Sequence, residues 1–193
     1  DTDVDSDRRD YGLLSHVSWW TSPRNLLVFG FDYKEGSVEA QDIDEPGPGF
    51  IRNEGDMRFY GLYVQDTWFA NDNVELNLGL RWDYAKFYDG AMSSDPGHLF
   101  AGYIAANPLA DRSWHAWSPR LAARWHFNPQ LSSYVSYARG FRAPELDDLC
   151  RTGWQYVGPK IANPQLDPET IDTVELGADW RPTPNTKTGC AVF

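Results

Sequence analysis

Carboxylate side chains recur at even spacing along two segments of the sequence, and paired carboxylates can act as a general acid and a general base. Glu75 and Asp83 lie in the first segment, and Glu175 and Asp179 lie in the second. Both pairs alternate with small, amide or arginine residues in a repeating fashion. Because such alternation is typical of the polar face of a strand, we predict no catalytic site and no enzyme activity.

Arginines share these polar faces with the carboxylates. Arginine outnumbers lysine 13 to 4 in the chain, and its planar guanidinium suits pairing with carboxylates in a partly desolvated interior. The pattern therefore predicts a polar wall inside the fold and not a substrate site. The predicted wall consists of Glu75, Arg81, Arg120, Arg124 and Glu175.

Metal-binding residues are not found at ligand spacing. Four aspartates at alternate positions from Asp1 to Asp7 resemble the start of a calcium loop, but Ser6 stands where the turn needs glycine. No glutamate follows at the twelfth position, so we expect an acidic loop there. The histidines are scattered, at His16, His98, His115 and His126. We predict neither a metal site nor a cofactor.

The two cysteines are predicted to be unpaired. Cys150 falls in a long predicted loop, and Cys190 follows a predicted turn at the opposite end of a strand of about eleven residues, or roughly 36 Å. A disulfide needs Cα atoms within about 7 Å of each other. The cysteines therefore give no framework for the fold.

Charge and hydropathy exclude two classes of protein. The formal net charge is −11, which argues against a nucleic-acid partner because such partners are bound through phosphate neutralisation. The longest apolar run, residues 99–106, is far shorter than the roughly 20 residues of a spanning helix. A helical membrane protein is therefore not expected, although 15% of the residues are aromatic.

Strict alternation of apolar and polar residues indicates that nearly the whole chain is β. In Val74–Tyr84, leucines and aromatics such as Leu78 point one way while residues such as Asn77 point the other. We count seven such strands. Short turns at 22–25, 71–73, 128–130 and 182–185 alternate with long connections at 36–56, 89–114 and 143–170.

This alternation of turn lengths predicts the architecture. In an up-and-down meander, every short turn falls at one end of the sheet and every long loop at the other, as in outer-membrane barrels. Aromatic residues near both ends of the strands suit the two interfaces of a bilayer. We predict an all-β, antiparallel up-and-down meander that forms a partial segment, about seven strands, of a transmembrane β-barrel.

Several motifs carry a resemblance to a known family. In order, they are Tyr63-Val64-Gln65-Asp66, Leu78-Gly79-Leu80-Arg81-Trp82-Asp83, Ser118-Pro119-Arg120-Leu121, residues 134–144 (YVSYARGFRAP), residues 163–170 (NPQLDPET) and Val174-Glu175-Leu176-Gly177. At these strand and loop positions, the series resembles the C-terminal half of a TonB-dependent outer-membrane receptor. The likeness covers about residues 11–181. It implies a 22-stranded barrel with a plugged lumen, of which about a third is present here.

The resemblance also implies a function. Such receptors take up an iron chelate such as a ferric siderophore, energised through TonB, in the outer membrane of a Gram-negative cell with the long loops extracellular. The implied partners are outer-membrane lipid, the receptor's own plug domain, the TonB complex and a small-molecule metal chelate, with no nucleic acid. The polar wall would face the plug. The residues expected to face the ligand are Arg142, Arg151, Trp154 and Tyr156.

Alternatives stay open at this point. Some haem receptors of this family carry a Phe-Arg-Ala-Pro box and a later Asn-Pro-x-Leu box with a histidine between them. Both boxes are present here, at 141–144 and 163–166, but no histidine lies between them. Haem or cobalamin receptors, a passive porin-like channel and a soluble carbohydrate-binding β domain are the other candidates. We expect residues 1–181 to form the partial barrel and 182–193 a truncated or aberrant C-terminal tail.

Overall fold

The computed structural model describes residues 2–44, 49–103, 108–155 and 158–193. Eight of the described strands form one antiparallel sheet in the order β1-β2-β3-β4-β5-β6-β9-β10, and β7 and β8 form a small separate hairpin. The strands are β1 (Thr2–Ser22), β2 (Asn25–Asp44), β3 (Gly49–Asn71), β4 (Val74–Ser94), β5 (Arg112–Asn128), β6 (Leu131–Arg142), β7 (Gly153–Gln155), β8 (Gly158–Lys160), β9 (Glu169–Thr183) and β10 (Thr186–Val192).

Neighbours in the main sheet follow the chain order, so the predicted up-and-down meander is confirmed. Its register places apolar side chains opposite one another across the strands. Leu78 of β4 pairs with Leu121 of β5, and Val135 of β6 pairs with Leu176 of β9. These residues belong to one continuous apolar face, called here the outer face, on which Leu78 is 44% and Leu176 62% exposed. The opposite side is the inner face.

An aromatic row crosses the outer face above this apolar band. Tyr33, Tyr60 and Tyr84 are neighbours on β2, β3 and β4, with ring centroids 5.2 Å and 6.2 Å apart. Phe87 of β4, in contrast, points to the inner face and is fully buried. It follows Tyr84 by three residues, and an odd spacing along a regular strand reverses the face.

The strands toward the long-loop end are longer than the sequence predicted. The predicted connection at 36–56 is mostly strand, because β2 runs to Asp44 and β3 begins at Gly49. The expected acidic loop at the N-terminus is also wrong for residues 2–7, which belong to β1 and pair with β2. Charged residues on the outer face of these extensions obscured the alternation in the sequence.

An eighth strand lies in the segment predicted as a tail. Thr186–Val192 form β10, which pairs with β9 from Thr183 to Leu176. The sequence count of seven strands corresponds to β1–β6 and β9. The expected boundary at residues 181 and 182 stays a prediction.

Two long connections fold over the inner face at the loop end of the sheet. Residues 95–111 include the 3₁₀ turn Ala101–Tyr103, and residues 143–168 include helix α1 (Leu146–Cys150) with β7 and β8. Beneath them lies the main apolar core, formed by Val38, Met57, Ala85, Phe87, Met92, Leu109, Trp114, Ala143, Leu149 and Cys150. Within the described ranges, no helix is long and apolar enough to cross a membrane.

Site-directed labelling of the complete protein in lipid vesicles tests the assignment of the two faces. Probes at Leu78 and Leu176 should be quenched by brominated lipid, because these side chains project from the exposed apolar face. Probes at their neighbours Asn77 and Glu175 serve as matched controls and should be shielded from lipid. The opposite pattern would contradict the assignment.

Candidate functional site

The inner face between the short turns and the middle of the sheet carries the predicted polar wall. Arg81 is held in it by two carboxylates: its Nη1 donates to Asp32 Oδ2 at 2.6 Å and its Nε to Asp83 Oδ1 at 2.8 Å. The guanidinium also lies over the ring of Tyr63, 5.8 Å from its centroid. Tyr63 in turn covers Gly30 on the neighbouring strand, where a Cβ atom would overlap the ring.

The same arrangement is repeated across β5, β6 and β9. Arg124 Nη1 donates to Asp179 Oδ2 at 2.8 Å and lies over the ring of Tyr134, 4.9 Å from its centroid. Tyr134 covers Gly177, and its hydroxyl donates to Glu175. In both places a glycine, a tyrosine, an arginine and an aspartate form one unit, named here a Gly-Tyr-Arg-Asp unit. Each unit fixes an arginine against the wall.

Arg120 differs from these two arginines. Its cross-strand neighbours are Gly79 and Ala138, which offer no polar side chain. Among the described residues it has no hydrogen bond or ion pair, and its side chain is exposed on the inner face. It lines a recess of about 340 Å³ together with the predicted wall residues Glu75, Arg124 and Glu175. Arg81 lies outside this recess.

The 143–168 loop forms the second part of the candidate site. β6 ends at Arg142, as Pro144 requires, because proline removes a ladder donor and forces the preceding residue into an extended conformation. The loop then turns inward and buries Leu149 and Cys150 of α1 in the apolar core on the inner face. Its return begins β9 at Glu169, two residues before the predicted start.

The four residues predicted to face the ligand lie in different surroundings. Arg142 is 62% exposed and pairs with Glu145 and Glu169. Arg151 is 16% exposed, with Asp42 and Asp147 as its partners. Trp154 is 46% exposed. Tyr156 lies outside the described residues, so the role of this set stays a prediction.

Aromatic residues of the other long loop join Trp154 and were missed from sequence. Phe100 lies 5.9 Å from the Trp154 ring, and His98 lies 5.6 Å from Phe100. Both His98 and Phe100 are buried, and the Phe100 backbone N–H donates to His98 Nδ1 at 3.2 Å. More than 50 residues separate His98 from Trp154 in the sequence, so no local motif could have joined them.

A cleft of about 590 Å³ opens between the 143–168 loop and strands β1, β2 and β3. Its lining is mostly apolar, with Leu14, Met57, Phe59 and Leu146 among the residues that form it. The charged residues of its lining are Lys34 and the three carboxylates Asp10, Glu35 and Glu145. A mainly apolar cleft with a few polar groups is the usual form of a small-molecule site.

The family profile described as TonB dependent receptor-like, beta-barrel matches residues 1–193 of the chain. The chain belongs to this family. The meander is therefore a partial segment of a transmembrane β-barrel, as the sequence predicted. Membership favours a receptor over the passive channel and the soluble carbohydrate-binding domain.

Sequence relatives of this receptor segment include a heme receptor and an iron-regulated outer membrane protein. TonB-dependent heme receptor A of Haemophilus influenzae (strain 86-028NP) is 25% identical over 173 residues, which cover 86% of this chain and 22% of the relative. The iron-regulated outer membrane virulence protein of Vibrio cholerae is 25% identical over 155 residues, covering 79% of this chain and 19% of the relative.

Solved structures share the fold of the segment. The copper transporter OprC superposes with a TM-score of 0.73 at 20% identity, covering 97% of this chain and 30% of that structure. The ferric yersiniabactin uptake receptor FyuA of Yersinia pestis gives a TM-score of 0.67 at 15% identity, covering 98% and 29%. The chain thus spans about a fifth of the curated relatives and less than a third of these structures.

The thiol of Cys150 reports on the packing of the 143–168 loop. It is fully buried and donates to the Leu146 carbonyl oxygen at 3.1 Å. Burial, aided by the negative charge of Asp147, raises the pKa of Cys150 to about 12. Because the unfolded thiol ionises near its ordinary pKa of about 8.5, this group's contribution to stability is complete below that pH and is lost as the pH rises toward 12.

Alkylation measured against pH tests this burial. In the complete receptor carrying Cys190→Ser, iodoacetamide should react slowly with Cys150 at every pH from about 7 to 10, because the folded thiol stays protonated. After denaturation in detergent, the rate should rise with an inflection near 8.5. A receptor with both cysteines replaced by serine supplies the background. An inflection near 8.5 in the folded receptor would contradict the burial.

Proposed function

We propose that the complete protein is an outer-membrane active transporter that takes up a ferric siderophore-like chelate, energised through TonB, with its long loops extracellular. The observation that carries this proposal is the position of the 143–168 loop. It folds inward over the loop end of the inner face, next to a mainly apolar cleft of about 590 Å³. The exposed side chains of Arg142 and Trp154 offer a cation and an aromatic surface. Charge attraction and stacking suit an anionic, ring-bearing chelate.

The iron-related relatives and structures support this class of ligand. The names of the sequence relatives refer to heme and to iron regulation, and one solved structure is a ferric yersiniabactin receptor. Haem is the second candidate, because aromatic rings from two loops meet at Trp154 and Phe100. His98 lies beside them, although it comes from the 95–111 loop and not from between the two boxes.

The polar wall favours the presence of a partner domain that fills the lumen. In this proposal the partner is the receptor's own plug domain, in a part of the protein beyond the present chain. Arg120 is exposed beside the recess, with Glu75 and Glu175 lining the same space. A charge that is buried without a partner is strongly unfavourable. We therefore expect the plug to bring a carboxylate to Arg120.

Uptake by the complete receptor tests the proposed function. Expressed in a strain without its own iron receptors, it should support growth on a ferric siderophore as sole iron source, and this growth should depend on TonB. Replacing Arg142, Arg151, Trp154 and Tyr156 together by alanine should raise the half-saturation concentration by about tenfold or more. Alanine at the outer-face residues Leu121 and Val135 is the matched control. Unchanged uptake by the fourfold variant would remove these residues from the site.

Photo-crosslinking tests the expected contact of Arg120. A photoreactive phenylalanine analogue at position 120 of the complete receptor should crosslink to the plug, because this side chain projects from the inner face. The same analogue at Leu121, which points to the outer face, should crosslink to lipid only. No plug adduct at position 120, or equal adducts at both positions, would refute the contact.

A further inference from the structure

The 143–168 loop is fixed to β3 by a buried pair of hydrogen bonds that the proposed function does not use. Asn53 Nδ2 donates to the Thr152 carbonyl oxygen, and the Thr152 backbone N–H donates to Asn53 Oδ1, both at 2.9 Å. Both residues are fully buried. The side-chain amide thus satisfies the backbone of Thr152 as a neighbouring strand would.

Asp42 contacts the residues on both sides of Thr152, through an ion pair with Arg151 and through close packing against Gly153. Arg151 Nη2 lies 3.4 Å from Asp42 Oδ1, and Asp42 is almost completely buried. Asp42 also lies against Gly153, where any Cβ atom would overlap its carboxylate. Residues 151–153 therefore fit closely onto β2 and β3, and glycine at 153 is a steric requirement of that fit.

The apolar side of α1 completes the attachment. Leu149 and Cys150 are fully buried in the core that contains Val38, Met57 and Phe87. Opening the loop would expose these side chains and break both hydrogen bonds of Asn53. From the usual size of such contributions, the open form would be disfavoured by roughly a thousandfold or more.

We propose that Asn53 and Asp42 are positioning residues that keep residues 146–153 against β2 and β3 throughout uptake. This inference rests on the proposed function, because it concerns the loop that carries the proposed ligand residue Trp154. Residues 146–153 then form a fixed side of the space in which the ligand binds, and they do not move as a lid. Movements that admit the ligand then belong to other parts of the receptor.

A single substitution in β3 can lock residues 146–153 to that strand and test this proposal. A Cβ atom built at Gly55 lies 3.1 Å from Cys150 Cβ and 3.1 Å from its Sγ. Disulfides have Cβ atoms about 3.5–4.5 Å apart, so Gly55→Cys needs an adjustment of a few tenths of an ångström. The nearby Phe87 ring, at 2.9 Å from the new Cβ atom, must shift as well. The oxidising periplasm favours the bond during assembly.

The locked receptor is compared with Gly55→Cys carrying Cys150→Ser, which has the same packing change without the bond. Bond formation is read from free-thiol counts, and uptake is measured with haemin, ferric yersiniabactin and ferric citrate as probes. We expect the bond to form and the uptake rate to stay within about twofold of the control. Loss of uptake only in the locked receptor would show a moving lid, and absence of the bond would show an undocked loop. Either outcome overturns the proposal.

A second variant decides the question if the locked receptor does not reach the membrane. Asn53→Ala should raise the half-saturation concentration by about tenfold while the maximal rate stays unchanged, because the ligand residues lose their fixed position. Glu54→Ala, on the outer face of the same strand, should change neither. A lower maximal rate with unchanged half-saturation, or no effect of Asn53→Ala, overturns the proposal. If the unmodified receptor transports none of the probes, the proposed function fails, and the thiol count still decides whether the loop is docked.

Discussion

Backbone hydrogen bonding is the constraint on which the rest of this structure depends. Hydrocarbon offers no partner for a free N–H or C=O group, so a strand can cross it only if both neighbours supply those partners. The interior strands β2–β6 and β9 meet this requirement, because each pairs in antiparallel register with two neighbours, while the edge strands β1 and β10 each pair with one described neighbour. That register also fixes which side chains share a face, because successive residues of a strand point in opposite directions. Apolar contact with lipid and polar contact inside the barrel are therefore consequences of one ladder.

The inner face serves two purposes at different heights. Toward the short turns it is polar, and Arg81 and Arg124 lie over tyrosine rings and pair with aspartates. Toward the long loops it carries the apolar core, in which Phe87 packs with residues of α1 from the 143–168 loop. The change of character occurs within the same strands, so a single sheet carries a polar surface at one end and an apolar core beneath the 143–168 loop at the other.

The sequence predicted the parts of the fold in which one residue pattern has one explanation. Val74–Tyr84 alternates cleanly because one face is covered by apolar contact and the other is polar along its whole length. The predicted loop at 36–56 is mostly strand for a physical reason: Asp42 and Asn53 are polar yet buried, while charged residues such as Glu39 cover the outer face. With polar residues on both faces, alternation of hydropathy disappears.

The candidate site was predictable only in part, for the same kind of reason. The Phe-Arg-Ala-Pro turn follows from proline chemistry, and Arg120, Arg124 and Glu175 follow from strand periodicity. The pairing of Asn53 with Thr152 joins residues 99 positions apart. It depends on how a loop folds back onto a sheet, and no periodicity in the sequence reports such a contact.

Gly30 and Gly177 determine where two tyrosine side chains of the inner face can lie. Each lets a tyrosine recline in the space that a methyl group would fill. A methyl group at either position would displace the ring, and with it the contacts that Tyr63 makes with Arg81 and that Tyr134 makes with Arg124 and Glu175. Exchanging these two glycines would therefore change the shape of the inner face, while the backbone pairing of their strands would stay the same.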